Sequence, residues 1–340
     1  MPLRLSSPHV TRNNSTAGIM QKVLLAMLPG IALMTLFFGW GTLIQILLCV
    51  GFGLLFEALA VWLRKQSVRF YLLDYSAVVT AVLLAVSIPP TAPYWVAITG
   101  MLVAILFAKQ VYGGLGSNPF NPAMVAYALL LVSFPLQMST WVLPEESASG
   151  FSESLSLIFG GASIDGSTGA TPLDQLRNRG SLTLSEVWDG ASLSEIAPAY
   201  QWISLAWLAG GVALLALKVF TWHTPISLML SLLVLSGLFY GYDPDNFLSP
   251  ISHLTLGATM LGAFFIATDP VSSATSTRGK LVFGAGIGAL VFVIRTWGNY
   301  PDAIAFAVLL MNLAAPLIDQ YTQPRTYGHK GVRKGPRGEE

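Results

Sequence analysis

The chain has 340 residues, 54% of them hydrophobic and only 10% charged, with a formal net charge of +1 and a mean hydropathy of +0.63. Soluble domains carry roughly 25% charged residues, so this balance excludes an ordinary soluble enzyme and indicates a polytopic protein of the lipid bilayer, with nothing to suggest a nucleic-acid partner. The single cysteine, Cys49, excludes an intrachain disulfide and a four-cysteine iron–sulfur cluster held by this chain alone.

The first segment, 1–21, is a polar tail with Arg4 and Arg12, and no small-residue cleavage site follows the first apolar run, so no cleavable signal peptide is expected. A membrane-spanning helix needs about 20 mostly apolar residues. Ten stretches qualify in chain order: 22–40, 42–63, 70–88, 94–111, 122–138, 200–220, 225–241, 251–268, 280–297 and 301–319. They fall into two groups of five, 22–138 and 200–319, separated by one long hydrophilic connection, 139–199, and followed by a basic tail, 320–340. Cys49 lies within the second stretch and reads as a small core residue.

The two groups resemble each other at an offset of about 180. Leu25-Ala26-Met27-Leu28-Pro29-Gly30 matches Leu205-Ala206-Trp207-Leu208-Ala209-Gly210, Pro89-Pro90 matches Asp269-Pro270, and Pro122 to Ala128 matches Pro301 to Ala307. A five-span repeat is odd, so the second copy must be inverted, an arrangement typical of transporter folds with sites at broken helices. Candidate breaks are Ser87-Ile88-Pro89-Pro90 with Ala267-Thr268-Asp269-Pro270, and Asn118-Pro119-Phe120-Asn121-Pro122 with Asn299-Tyr300-Pro301; both also read as simple turns. The expected fold is an all-α polytopic membrane protein of about ten transmembrane helices, in two inverted five-helix repeats, with a partly helical extracytoplasmic loop.

Charge sets the orientation. With ten spans, 15 of the 18 Lys and Arg fall on the side of the termini, and only Arg177, Arg179 and Arg295 on the other. Both termini are therefore expected in the cytoplasm and 139–199 outside, in the periplasm of a cell with an inner membrane. That connection of about 60 residues is too long to be idle. Thr171-Pro172-Leu173-Asp174 has the pattern of an N-cap, proline at the first helical position and an early acid; Thr183 to Glu186 and Ser192 to Glu195 repeat the capping pattern. Thr171 is therefore either a plain N-cap or a hydroxyl displayed for attachment, and a helix N-terminus suits both, because its free N–H groups favour an anion.

The heptapeptide Asp165-Gly166-Ser167-Thr168-Gly169-Ala170-Thr171 resembles the recognition motif of the flavin transferase that esterifies FMN to threonine, with Asp165, Thr168, Gly169, Ala170 and Thr171 at its fixed positions. Gly113 to Met124, Ser133 to Met138 and Ser7-Pro8-His9 are similar to the D-type subunits of the Rnf ion-translocating electron-transport complexes, a family shared with the B-type subunits of the sodium-translocating NADH:quinone reductases. The resemblance runs from about residue 6 to 320, and the short N-terminal tail favours the Rnf branch. It implies an integral membrane flavoprotein with FMN bound covalently through a phosphoester to Thr171, and a noncovalent riboflavin within the membrane domain. The partners it implies are a second covalent-FMN subunit, iron–sulfur subunits and the flavin transferase. The implied activity is electron transfer of the ferredoxin/NAD type coupled to Na⁺ or H⁺ movement, the chain not being catalytic alone. Asn118 and Asn121 are the candidates for the membrane flavin or an ion. A solute channel or transporter with a similar inverted repeat is the competing reading.

Intramembrane acids are functional candidates by default. Glu57 serves either an ion pathway or flavin contact, or a structural contact to a helix or an arginine. Asp74, Asp269, Asp302 and Asp319 lie near span ends and read as interfacial, as does His253; no spacing suggests a metal site. Trp95, Trp141, Trp188, Trp202, Trp222 and Trp297 suit an aromatic belt.

Overall fold

In the computed structural model, which describes residues 15–144, 150–160, 168–180, 182–298, 300 and 303–323, apolar runs between capping residues form helices throughout. Ser15 opens α1 (Thr16–Phe38), its hydroxyl accepting from the Gly18 amide. Gly39 ends it with a φ of 81°, a conformation that a side chain resists. α2 (Gly41–Leu63) follows, then α3 (Val68–Leu72) and α4 (Ser76–Ala85), α5 (Tyr94–Leu102), which continues as a π-helix over Val103–Gln110, and α6 (Pro122–Ser133) with α7 (Pro135–Ser139).

The connection to the second half holds β1 (Trp141–Val142), α8 (Phe151–Gly160), β2 (Thr168–Gly169), α9 (Pro172–Arg177) and α10 (Leu184–Asp189). β1 and β2 pair antiparallel, Trp141 opposite Gly169 and Val142 opposite Thr168. The second half comprises α11 (Ala191–Ala216), α12 (His223–Tyr242), α13 (Pro250–Thr255), α14 (Thr259–Leu261) leading into a π-helix over Gly262–Ile266, α15 (Thr277–Trp297) and α16 (Ile304–Thr322).

Among the described residues, six helices are long and apolar enough to cross a membrane: α1, α2, α11 from Leu193, α12, α15 and α16. The other four expected spans are helical but shorter or interrupted. Span 70–88 divides where Tyr75 takes a left-handed φ of 61° and the Asp74 carboxylate accepts from the Ser76 amide (2.7 Å) and hydroxyl (2.6 Å). Span 122–138 divides at Phe134–Pro135, because proline has no amide proton and disfavours helical geometry in the residue before it. Span 251–268 divides at Leu256-Gly257-Ala258, with Gly257 at φ 73°. Span 94–111 shifts to π geometry in its second half. Ser192 also departs from expectation: α11 begins one residue earlier, after Gly190, so Ser192 lies in its first turn and is not a cap.

Small residues allow the closest helix approaches. α1 crosses α11 where Gly30 faces the Trp207 ring and Gly210 faces the Ala26 carbonyl, so the two matched hexapeptides meet each other. α12 packs along α15, where Gly284 and Gly288, four residues apart, lie against the Thr224 and Leu228 carbonyls. Two hydroxyls join this pair: Ser227 donates to the Leu281 carbonyl (2.8 Å) and Ser231 to that of Ala285 (2.9 Å). α6 of the first half touches α16 of the second. Cys49 is fully buried in the shared apolar core.

Candidate functional site

Thr171 is the N-cap of α9, in extended conformation, with Pro172 at the first helical position as expected. Its Oγ1 accepts from the Asp174 amide at 3.3 Å and donates to Asp174 Oδ2 at 2.8 Å. The residues before it are anchored on both sides. Gln175 donates to the Ala170 carbonyl at 3.1 Å. β2 holds Thr168 and Gly169 against β1, where a Cβ on Gly169 would lie 2.6 Å from the Leu143 side chain, so only glycine fits without movement. Ala170 is exposed and Thr171 half-buried. Asp165, like the tail arginines, His9, His329, Asn299, Pro301 and Asp302, lies outside the described residues.

Thr171, Pro172, Leu173 and Asp174 form part of the wall of a cavity of about 500 Å³. The helix interruptions supply much of the rest: Val86 and Ser87 after α4, Pro135 and Leu136 at the start of α7, and Gly257 and Ala258 before α14. Six aromatic residues line it, Phe38, Tyr127, Trp141, Tyr200, Trp207 and Tyr300. Phe38 meets Trp141 and Tyr200 edge-on, at centroid distances of 5.9 and 5.6 Å. The cavity falls within the usual size range for organic cofactors, roughly 300–1,000 Å³, and has their usual mostly apolar lining with a few polar groups. The residues present thus fit a planar heteroaromatic group tethered at Thr171. The sequence singles out Thr171 but not the rings, because Tyr200 and Trp207 sit on a helix far from the motif along the chain.

A second cavity, about 840 Å³, lies at the other end of α1: Ile19 and Met20 line it, whereas Phe38 lines the first. Asn118 and Asn121 both reach it. The Asn121 side-chain oxygen is used as the α6 cap, accepting from the Ala123 (3.1 Å) and Met124 (3.3 Å) amides. Asn118 donates to the Phe120 carbonyl at 2.9 Å, and its buried Oδ1 has no partner among the described residues. Lys109, Lys218, Lys280 and Asp269 share the lining with apolar residues, so basic and acidic side chains both face this cavity. Asp319 instead ties α16 to the start of α15, accepting from the Thr275 amide (2.9 Å) and hydroxyl (3.0 Å).

Beside that cavity lies a buried polar network. Lys109 Nζ donates to Glu57 Oε1 at 2.9 Å and to Ser76 Oγ at 2.8 Å, and both ends of the ion pair are almost completely buried. Gln110 donates to the same Glu57 oxygen at 2.7 Å, and Arg64 donates to Gln110 Oε1 at 2.7 Å. Of the alternatives the sequence leaves for Glu57, an ion pathway or flavin contact or a structural contact to a helix or an arginine, the structure shows a contact to a neighbouring helix, made through a lysine. Lys109 is an interior residue and not part of the exposed basic side. The π-helix accounts for this placement: π geometry changes the residue spacing, and the adjacent residues Lys109 and Gln110 both reach Glu57. His253, read from the sequence as interfacial, is buried.

A sequence profile of the NQR2, RnfD, RnfE family matches residues 4–328. The chain belongs to this family. Similar full-length relatives are named as the D-type subunit of an ion-translocating oxidoreductase complex. The one from Cellvibrio japonicus is 50% identical, over 98% of this chain and 96% of its own. That from Vibrio cholerae is 49% identical, over 95% and 98%, and that from Escherichia coli 49%, over 96% and 98%. The match covers both halves, the connection between them and the described part of the Thr171 motif.

Proposed function

We propose that this family member is the membrane flavoprotein subunit of an ion-translocating oxidoreductase complex, a redox relay that is not catalytic alone. The observation that carries the reading is the Thr171 hydroxyl, within a flavin-transferase-like motif, at a helix start that opens on an aromatic-lined cavity. FMN bound there as a phosphoester supplies one- and two-electron transfer. The chain's own residues do the holding. The α9 N-terminus, with its orphan amides, stabilises the phosphate. Phe38, Trp141, Tyr200 and Trp207 wall the ring space and limit water. The cavity that Asn118 and Asn121 line takes a noncovalent riboflavin or the transported ion, with the spare Asn118 oxygen as an acceptor. Electrons pass between iron–sulfur and second-flavin subunits of the ferredoxin/NAD type, coupled to Na⁺ or H⁺ transport.

The contact between the hexapeptides around Gly30 and Gly210 supports two inverted repeats, since equivalent positions meet at the crossing as they would across a two-fold axis. The charge count supports cytoplasmic termini and a periplasmic 139–199 in a bacterial inner membrane. A solute channel has no use for the Asp165–Thr171 motif. The B-type subunit of the quinone reductase would share the attachment chemistry, but the names of the similar relatives favour the D-type branch. The test is co-expression with the flavin transferase followed by a denaturing gel under ultraviolet light. A fluorescent band that disappears in Thr171→Ala is expected. A dark wild-type band, with the transferase active on another target, refutes the proposal.

A further inference from the structure

α8 (Phe151–Gly160) does not line the aromatic cavity, and its sequence divides into three faces. At about 3.6 residues per turn, Ser154, Leu157 and Ile158 fall together. These three are buried, and α8 packs against α2. Phe151, Leu155 and Phe159, spaced four apart, form a second face. It is an apolar stripe on which Phe151 is 54% exposed, Phe159 50% exposed and Leu155 half-buried. Ser152, Glu153 and Ser156 form the third face, polar and exposed. Each end of the stripe meets an aromatic ring at the start of another helix. Phe151 lies edge-on to Trp40, the residue before α2, with ring centroids 5.9 Å apart. Phe159 stacks on Tyr94, the first residue of α5, at 5.5 Å. Trp40 and Tyr94 are themselves exposed.

These contacts fix the direction of α8. The two phenylalanines are eight residues apart, about 12 Å along the helix axis, and each touches the ring that begins a different helix. α8 therefore runs across the starts of α2 and α5 and not along them. Tryptophan and tyrosine at span ends sit at the headgroup level of a bilayer. On the same face of α2 as Trp40, seven residues further on, lies Leu47, 71% exposed on the side of this membrane helix that meets acyl chains. The stripe of α8 continues that lipid-facing surface, and the polar face adjoins it on the water side. We propose that α8 is an interfacial helix that lies in the plane of the bilayer surface. Phe151, Leu155 and Phe159 enter the boundary between headgroups and acyl chains, and Glu153 and Ser156 stay in water. α8 contains no Lys or Arg, so the attachment is apolar and zwitterionic lipid serves it as well as anionic lipid. A helix of ten residues does not persist alone; α2 holds one face of this one and the bilayer a second. Because α8 lies between β1 and β2, which pair, the anchor also sets the depth of that strand pair and of Thr171, two residues after β2. The inference does not depend on what Thr171 carries.

The test uses the full chain in phosphatidylcholine nanodiscs, with a nitroxide label on Leu155→Cys, Phe159→Cys, Glu153→Cys or Ser156→Cys. Cys49 is fully buried, so the introduced thiol takes the label, and the wild type measures any background. Collision rates with oxygen, which concentrates in the bilayer, and with a water-soluble nickel chelate give the depth of each label. The labels at Leu155 and Phe159 should lie about 5–10 Å below the headgroup level, and those at Glu153 and Ser156 in water. The same depths are expected when phosphatidylglycerol is included. If Phe159→Cys fails to fold, Leu155→Cys decides, because it keeps both aromatic contacts. Nickel accessibility at Leu155 and Phe159 equal to that at Glu153 overturns the proposal. Shielding of Leu155 and Phe159 from both reagents also overturns it, since protein, from a second copy of the chain or elsewhere, would then cover the stripe in place of lipid.

Discussion

Removing one member of the Glu57–Lys109 pair should be far more damaging than removing both. At the observed 2.9 Å the two charges attract by about 6 kcal/mol if the effective dielectric constant is about 20. Desolvation of each buried ion consumes several kcal/mol of that, so the net worth of the pair is small. Lys109→Met, however, leaves the Glu57 carboxylate with only Gln110 as donor, and Glu57→Leu leaves the ammonium with only the Ser76 hydroxyl. Each single substitution should cost about 3–5 kcal/mol, as for other broken buried pairs. The double variant should cost less than either single one, close to neutral, because the net worth of the pair is small. Denaturant unfolding of the four proteins in detergent micelles closes this cycle. Additive single effects would refute the reasoning, because they would mean that water or another residue already compensates each charge.

Substitutions at Thr171 separate its two roles. Thr171→Ala should lose flavin attachment and about 1 kcal/mol of cap stability, whereas Thr171→Asp should keep the cap and still give a dark band on the gel; a fluorescent Thr171→Asp band would place the attachment elsewhere. Gly210→Val should destabilise the chain by about 2 kcal/mol or more, since its side chain would overlap the Ala26 carbonyl, and a thermal melt unchanged from wild type would contradict the α1–α11 crossing. The Glu186 carboxyl is held below its usual range by the Thr183 backbone amide and then by its hydroxyl. The protection it lends to α10 is therefore full above the ordinary carboxylate pKa and is lost as pH falls through the lowered one. Hydrogen exchange of the Thr183 amide should accelerate over that window, beyond its intrinsic pH trend, in the wild type and not in Glu186→Gln.

Local signals in the sequence are reliable where a single residue decides the structure. The Thr171 and Thr183 caps follow from a hydroxyl three residues ahead of an acid, and the breaks near Pro89, Asn118 and Asp269 from proline and asparagine. Ten apolar stretches are visible, but not that four of them are short or interrupted, because hydropathy averages over a window and cannot register one Tyr75 at positive φ or one π-turn. The Glu57–Lys109 contact is hidden for the same reason. Charge counting groups Lys109 with the basic residues on the side of the termini, whereas the π-helix Val103–Gln110 turns it inward onto Glu57. The aromatic wall is invisible because its rings come from α1, α6, α11, the β1 strand and Tyr300 between α15 and α16, which no spacing in one segment connects.

The six-residue α9 owes little of its stability to helix propensity, since helices this short do not persist alone. It is held by what surrounds it: Thr171 at its start, the buried Pro172, Leu173 and Leu176, and Arg177 reaching the α15 carbonyl at its end. Leu173 and Leu176 pack with Leu184, Leu193 and Leu256 in a small apolar cluster distinct from the main core. Anything that shifts α13, with Leu248 and Leu256 flanking it, or α15, which brings Arg295, therefore moves the start of α9 and the position of the Thr171 hydroxyl at the cavity. A tether on a long membrane helix would be fixed by its own backbone hydrogen bonds. A tether on α9 is positioned by its contacts with the second half of the chain, so substitutions at Leu176 or Leu256 should alter the geometry at Thr171 without touching it.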